Sequence, residues 1–221
     1  MRLVVLPGVF RPISDTWLLA EALDREPLPP GARVLDLCSG SGALAVRAAL
    51  AGRREVTAVD VSRRAVAAIR FNAALNGVRV HARRGDLLTA VAGERFDAIV
   101  SNPPYVPAPS DTPPTRGPER AWDAGRDGRA LLDRICAAAP AHLEPGGVVL
   151  LVHSSLLGVE PTLDALRAGA LEASVAAREP GPLGPLMNGR RALLEDRGLL
   201  RRGAREEVVV VVRGRKPPCA R

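Results

Sequence analysis

Residues 34–45, Val34-Leu35-Asp36-Leu37-Cys38-Ser39-Gly40-Ser41-Gly42-Ala43-Leu44-Ala45, constrain the fold of this chain more than any other stretch. A short apolar run enters a glycine-rich turn and continues into an alanine- and leucine-rich segment. That is the order strand, tight turn, helix with which a βαβ unit begins. Gly40 and Gly42 permit positive φ and let a ligand approach the backbone closely. The Gly40-Ser41-Gly42-x-x-Ala45 part satisfies the dinucleotide pattern, and Asp60 ends the next apolar run, where a carboxylate can hold both ribose hydroxyls.

The same alternation continues along the chain. It predicts strands at Arg33–Leu37, Glu55–Asp60, Val78–Arg83, Phe96–Ser101 and Gly147–His153, with helices at Ala43–Ala51, Ser62–Leu75 and Gly128–His142 between them. An amphipathic helix over Asp15–Asp24, with Ser14 or Asp15 as its N-cap and Trp17, Leu18, Leu19 and Leu23 on its apolar side, precedes the first strand. The expected fold class is therefore α/β, a Rossmann-like, mostly parallel sheet of seven strands with helices on both faces. Ligands of such sheets gather at the carboxyl ends of the strands, near the switch point. The tail breaks the rhythm: a Gly/Pro-rich loop and a short helix around Arg190–Arg197 lead into one more buried strand at Val208–Val212.

A chain of 221 residues that is 47% hydrophobic suits one such domain over 1–221. Within it, 1–30 form a leading segment and helix, 31–155 the cofactor-binding and catalytic core, and 156–221 the C-terminal strands and helix. No apolar stretch approaches the roughly 18 residues that span a bilayer and no signal pattern opens the chain, so a cytoplasmic location is expected. Cys38, Cys136 and Cys219 are widely separated and only three histidines accompany them, which argues against structural zinc and against a disulfide framework. The net charge of +7 invites a nucleic-acid reading, but Lys216 is the only lysine. Arginine pairs such as Arg53-Arg54, Arg83-Arg84 and Arg190-Arg191 are scattered with few aromatics between them, so solvated faces are favoured over an RNA groove.

Asn102-Pro103-Pro104-Tyr105 follows the run Phe96–Ser101 and holds the only tyrosine. Two prolines fix φ and remove two donors, so the chain leaves the strand extended and stiff with its carbonyls free. The amide oxygen of Asn102 and the carbonyl of Pro103 can accept both hydrogens of an NH2 group, although an Asn-Pro turn ending a strand explains the tetrapeptide alone equally well. Asp36 bears on the ligand opposite. At the mouth of the glycine turn its charge repels a pyrophosphate and attracts an ammonium, which S-adenosylmethionine offers. Asp86, after the third strand, can accept from an adenine amino group or serve as a turn or cap residue. Pro103 to Pro118 carries seven prolines and is too long for an ordinary connection, so it reads as a functional loop beside the pocket.

With these residues in view the chain resembles the class I S-adenosylmethionine methyltransferases, and among them the release-factor glutamine (HemK-like) methyltransferase family in its short branch. Phe10-Arg11-Pro12-Ile13-Ser14-Asp15-Thr16-Trp17-Leu18-Leu19 and Ala121-Trp122-Asp123-Ala124-Gly125-Arg126-Asp127-Gly128-Arg129 extend the resemblance, which covers roughly residues 9 to 155. It implies that Asp36, Gly40 and Gly42 hold the methionine part with help from Thr16, that Asp60 binds the ribose, and that Asp86 with Leu87 binds the adenine. Asn102 and Pro103 would hold the acceptor nitrogen, Asn102 also bordering the cofactor, with Tyr105 packing against the acceptor side chain. The acceptor implied is a protein glutamine, as in a translation release factor; a nucleobase amine, a small molecule and a non-catalytic partner subunit are the alternatives. Cys38 stands where many such enzymes have another glycine, so the turn is expected to keep negative φ there. Relatives use a zinc-binding activator along an exposed strand edge. Here that edge, Arg79–Arg84, is charged, and a monomer that needs no activator is expected.

Overall fold

The computed structural model describes residues 1–52 and 54–218; Arg53 and Cys219, which figure in the sequence reading, lie outside the described residues. One seven-stranded sheet runs through the molecule in the order β3-β2-β1-β4-β5-β7-β6. Its strands are β1 (Ala32–Leu37), β2 (Arg54–Asp60), β3 (His81–Arg84), β4 (Phe96–Ser101), β5 (Leu143–Ser154), β6 (Glu172–Pro182) and β7 (Glu206–Arg215). The first five are parallel, and β7 is antiparallel to both β5 and β6.

Both faces of the sheet are covered, and the sequence shows why. Alternate residues of each central strand point to opposite sides: Leu35 and Leu37 of β1 enter one core, with Val149, Leu151, Val210 and Val212, while Val34 enters the other, with Val148, Leu150 and Val211. Helices α1 (Ser14–Arg25), α2 (Ala43–Leu50) and α3 (Arg63–Leu75) bury Leu19, Leu23, Leu44 and Ile69 against the second face. Helices α4 (Ala130–Ala138) and α5 (Glu160–Ala168) bury Leu132, Ile135, Leu163 and Leu166 against the first. Each such side chain contributes roughly 1.5–3 kcal/mol by leaving water.

The differences from expectation are local. Helix α1 begins at Ser14 with Ile13 at the N-cap position and no side-chain cap, because the Asp15 carboxylate is engaged elsewhere. Strand β3 is only His81–Arg84; it is an edge strand of charged and half-buried residues with no apolar face to extend it. Helix α5 and strand β6 have no counterpart in the sequence reading, and Pro180–Pro182, expected in a loop, continue β6 as the sheet's other edge, where prolines are tolerated. Beyond β6, the short helices α6 (Pro185–Gly189) and α7 (Arg191–Asp196) build a third apolar cluster from Leu183, Met187, Leu194 and Leu200 around Val106 and Leu157.

Candidate active site

The carboxyl ends of β1 and β4 lie side by side where the strand order reverses, with Leu37 opposite Ser101. The buried Ser101 hydroxyl donates to the Leu37 carbonyl at 2.9 Å, so the glycine turn and the Asn-Pro-Pro-Tyr segment leave from one fixed point. In the turn, Ser39 donates its N–H to the Val59 carbonyl and its hydroxyl to the Asp36 carbonyl at 2.7 Å. Gly42 has φ +80°, and a Cβ there would stand 3.1 Å from Ile69 Cα. Cys38 departs from the expected negative φ: it has φ +56°. The two bonds of Ser39 hold the reversal in place, and an unbranched side chain tolerates the left-handed region at about 1–2 kcal/mol. Leu87 is the other non-glycine residue of this region in that conformation, with φ +49°.

A cavity of about 580 Å³ opens over these strand ends, a size suited to a nucleoside-sized ligand together with a side chain. Thr16, Gly40, Asp60, Asp86, Leu87, Asn102, Pro103 and Tyr105 all line it, as do Pro113, Pro114 and Pro118 of the proline-rich loop. Asp36 and Gly42 are absent from its wall. Asp36 lies directly behind the turn, 1% exposed, with Oδ2 accepting from the Ala45 N–H at 3.1 Å and Oδ1 buried without a partner among the described residues. Burial raises its carboxyl to about 7. Asp60 accepts from the N–H groups of Gly40 (2.9 Å, Oδ2) and Ser62 (2.8 Å, Oδ1), and burial raises it too. Each of its oxygens keeps a lone pair for a hydroxyl. Asp86 is half exposed and pairs with Arg134 at 2.6 Å across the far end of the cavity. Among the described residues no group of three or more metal-ligating side chains is assembled.

At the other end a chain of side-chain bonds ties α1 to the segment after β4. Asn102 Nδ2 donates to Thr16 Oγ1 at 3.1 Å, Thr16 Oγ1 donates to Asp15 Oδ1 at 3.1 Å, and the Tyr105 hydroxyl donates to Asp15 Oδ2 at 2.8 Å. Asn102 is therefore oriented with one N–H of its amide engaged and its amide oxygen left to accept. Burial, with the charges of Asp15 and Glu207, holds the Tyr105 phenol well above its usual range, so it stays a neutral donor. The chain then pairs with the segment that follows the proline-rich loop. Val106 N–H donates to Trp122 O, Ala124 N–H to Val106 O, and Ala108 N–H to Gly125 O. Gly128, with φ +77°, sits where a Cβ would come within 2.6 Å of the Tyr105 carbonyl, so this approach requires glycine.

Two acids of the site escape the sequence reading. Asp15, 2% exposed, is the hub of the α1 network, yet an acid in a first helical turn already has a capping explanation. Glu207, 9% exposed and lining the cavity, looks in sequence like the charged start of a strand. Two tail arginines, Arg190 and Arg197, also depart from the solvated-face reading, while Arg201 and Arg202 are exposed as expected. Arg190 binds the Asp123 carboxylate at 2.6 Å and the Pro107 carbonyl at 2.7 Å, and Arg197 binds the Ala108 and Arg126 carbonyls. The helices after β6 thereby clamp the loop that follows Tyr105.

A parallel sheet reversing at β1/β4, a glycine turn backed by a buried acid, and an oriented Asn-Pro-Pro-Tyr segment define a class I methyltransferase. Comparison with known proteins gives the family. Residues 1–113 match the family model described as the methyltransferase small domain. The chain is 33% identical over 187 residues, 85% of its own length and 93% of the relative's, to a Methanocaldococcus jannaschii protein provisionally named a protein N5-glutamine methyltransferase. It is 43% identical over 155 residues to the release factor glutamine methyltransferase of Bordetella pertussis, covering 66% of this chain but only 57% of that relative. A chain of the E. cuniculi Mtq2–Trm112 complex, responsible for methylation of the eRF1 translation termination factor, has the same fold with a TM-score of 0.65 at 24% identity, over 95% of this chain and 99% of that one. The protein belongs to the methyltransferase small-domain family, in the branch of the HemK-like glutamine methyltransferases.

Proposed function

We propose that this protein methylates the side-chain amide nitrogen of a glutamine in a protein acceptor, a translation release factor being the leading one, with S-adenosylmethionine as donor. The observation that carries this reading is the oriented Asn102, whose Nδ2 is held by Thr16 so that Oδ1 and the adjoining Pro103 carbonyl form a pair of acceptors at the cavity. S-adenosylmethionine, when bound, supplies a methyl group activated by its sulfonium. The unpartnered Asp36 Oδ1 fits its ammonium through the turn, Asp60 its ribose hydroxyls, and Asp86 with Leu87 its adenine.

An amide nitrogen is a poor nucleophile because its lone pair is delocalised. What the residues supply is alignment, together with electrostatic help as positive charge develops on that nitrogen. Asn102 Oδ1 and Pro103 O accept the two amide hydrogens, aim the nitrogen and stabilise the charge, while Tyr105, fixed by Asp15, walls the acceptor side chain. No histidine or glutamate is assigned as general base; the proton that the methylated nitrogen sheds passes to water. We place the enzyme in the cytoplasm, acting without an activator; no described helix is long and apolar enough to cross a membrane, and the β3 edge is short and charged, with Arg83 paired to Glu94. Transfer of labelled methyl to purified release factor, and not to tRNA, rRNA or oligonucleotide, is the expected result. Labelling of nucleic acid alone would assign the site to an exocyclic base amine instead.

A further inference from the structure

Glu207 is a carboxylate of this cavity for which the reaction above has no use. It stands on β7 opposite Gly181 of β6, two residues before Val209, and both Glu207 and Val209 reach the cavity wall. Its Oε1 accepts the Gly184 N–H at 2.9 Å, which fixes the carboxylate against the turn that leads into α6. Its Oε2 is buried and has no partner among the described residues. Around it the wall is apolar: Pro185, Leu186, Met187 and Val209 line the same cavity. An orphaned buried carboxylate oxygen costs stability, so one carried by a residue of the cavity wall, with its twin anchored, is fitted to a donor that a ligand brings.

We propose that Glu207 and the β6–α6 turn form an acceptor subsite in which Oε2 takes a main-chain N–H of the polypeptide that carries the methylated glutamine. This inference rests on the protein-glutamine reading of the site. The two amide hydrogens of the glutamine are already accounted for by Asn102 and Pro103, so the donor that Glu207 takes comes from elsewhere in the acceptor. The apolar wall favours a neutral donor, because a cationic side chain would lose its hydration among prolines, leucine and methionine. A phosphate is repelled by the two carboxylates, Asp15 and Glu207, that face Tyr105. The tail thus contributes acceptor selectivity and leaves the cofactor to the β1–β4 ends of the cavity.

The test uses the full-length enzyme and Gly-Gly-Gln peptides, one series with ordinary main-chain amides and one with single amides replaced by esters, which lack the N–H. Wild type is expected to lose about tenfold in kcat/KM with one ester position, while Glu207→Gln, which presents an NH2 in place of Oε2, loses the same factor with the ordinary peptide and little more with that ester. The change should fall in KM for the peptide, with S-adenosylhomocysteine affinity by calorimetry as in wild type. That second readout also shows the variant to be folded. Glu207→Leu is the backup variant, with the same expectation. Equal ester sensitivity in wild type and variant, or an unchanged KM in both variants, would overturn the subsite while leaving the glutamine reading intact. If wild type transfers methyl to neither release factor nor peptide, the glutamine reading itself fails, and the subsite with it.

Discussion

Asp36 ties cofactor binding to pH, and its burial sets the size of the effect. Its carboxyl is raised from 3.8 to about 7, chiefly by loss of hydration, with the Ala45 N–H opposing and the Asp60 charge adding slightly. Only the ionised form attracts an ammonium. The apparent Kd of an ammonium-bearing ligand is therefore multiplied by one plus the ratio of protonated to ionised Asp36, about elevenfold near pH 6 and about 1.4-fold near pH 7.4. The ligand's own ammonium, that of a free α-amino acid beside its carboxylate, stays protonated over this range and adds nothing to the difference. The net expectation is about eightfold weaker binding of S-adenosylhomocysteine near pH 6 than near pH 7.4, measured by calorimetry with buffers of differing ionisation heat to count the proton released.

The Asp36→Asn variant removes that charge and the acid-side pH dependence together, and its affinity near pH 7.4 should fall at least as far as wild type falls on acidification. The effect on stability has the opposite sign. A carboxyl whose folded pKa lies above its unfolded one costs nothing below the unfolded value. The cost grows as pH rises through the window from 3.8 to about 7 and is complete above it. The full shift corresponds to about 4 kcal/mol; after the new Asn Nδ2 donor is left without a partner, about 1–2 kcal/mol of gain should remain in the cofactor-free protein, or roughly 3–6 °C in Tm. Equal affinity at the two pH values, or an Asn variant that binds like wild type, would refute the attraction of ionised Asp36 for the ammonium through the turn. A variant less stable than wild type would refute the cost assigned to its burial.

Asn102→Ala removes the oriented acceptor, and turnover at saturating cofactor should fall about a hundredfold or more; wild-type turnover with cofactor demonstrably bound would sink its assigned role. Arg190→Ala leaves the Asp123 carboxylate, 8% exposed, without its guanidinium. Since Arg190 is itself partly exposed, about 2–3 kcal/mol is expected, felt as faster hydrogen exchange at the Val106, Ala108 and Ala124 amides with little change around β1. Exchange rates identical to wild type at those amides would show that the tail does not clamp the loop. His153, fully buried, is held neutral with its pKa lowered to about 4, so stability is lost as pH falls from about 6.5 toward 4, by up to about 3 kcal/mol. Because Asp36 works the other way over part of that window, the acid limb should be steeper in Asp36→Asn than in wild type, as read by urea unfolding at a series of pH values.

Much of the core was legible because its elements obey one rule at a time. Leu35 and Leu37 against Val34 show the two-residue period of a strand buried on both faces, and Ala43 to Leu50 follow a glycine turn that can only start a helix. Strand β6 escaped because it is an edge: Glu172, Ser174, Ala176 and Arg178 alternate with half-buried Ala173, Val175 and Ala177, too weak an apolar face to register, and its end is written in prolines. The site divides the same way. Residues whose role follows from their own chemistry, Asp60 after β2 or Asn102 before two prolines, stand out in sequence. Asp15 and Glu207 act through partners 90 and 23 residues away, Tyr105 and Gly184, and no local pattern encodes such a pair.

The residues that violate ordinary folding economy mark the site more sharply than those that obey it. Among the described residues three non-glycines hold positive φ; Cys38 and Leu87 line the cavity, and Ala170 does not. Of the buried side-chain atoms without a hydrogen-bond partner, Glu207 Oε2 belongs to the cavity wall, Asp36 Oδ1 backs its turn, Asp123 Oδ1 is ion-paired with Arg190, and His153 Nε2 lies off the wall. Cys38, Leu87, Asp36 and Glu207 each cost of order 1–3 kcal/mol, and a sequence selected for stability alone would discard them. Their grouping therefore argues that the cavity is kept for ligands, and the two orphan oxygens divide its labour: Asp36 behind the turn that follows β1, Glu207 on the wall built by the tail. If that division is real, Asp36→Asn should shift cofactor affinity and leave the peptide KM at saturating cofactor alone, while Glu207→Gln does the reverse. A common defect in both variants would mean that the two ends of the cavity act as one site.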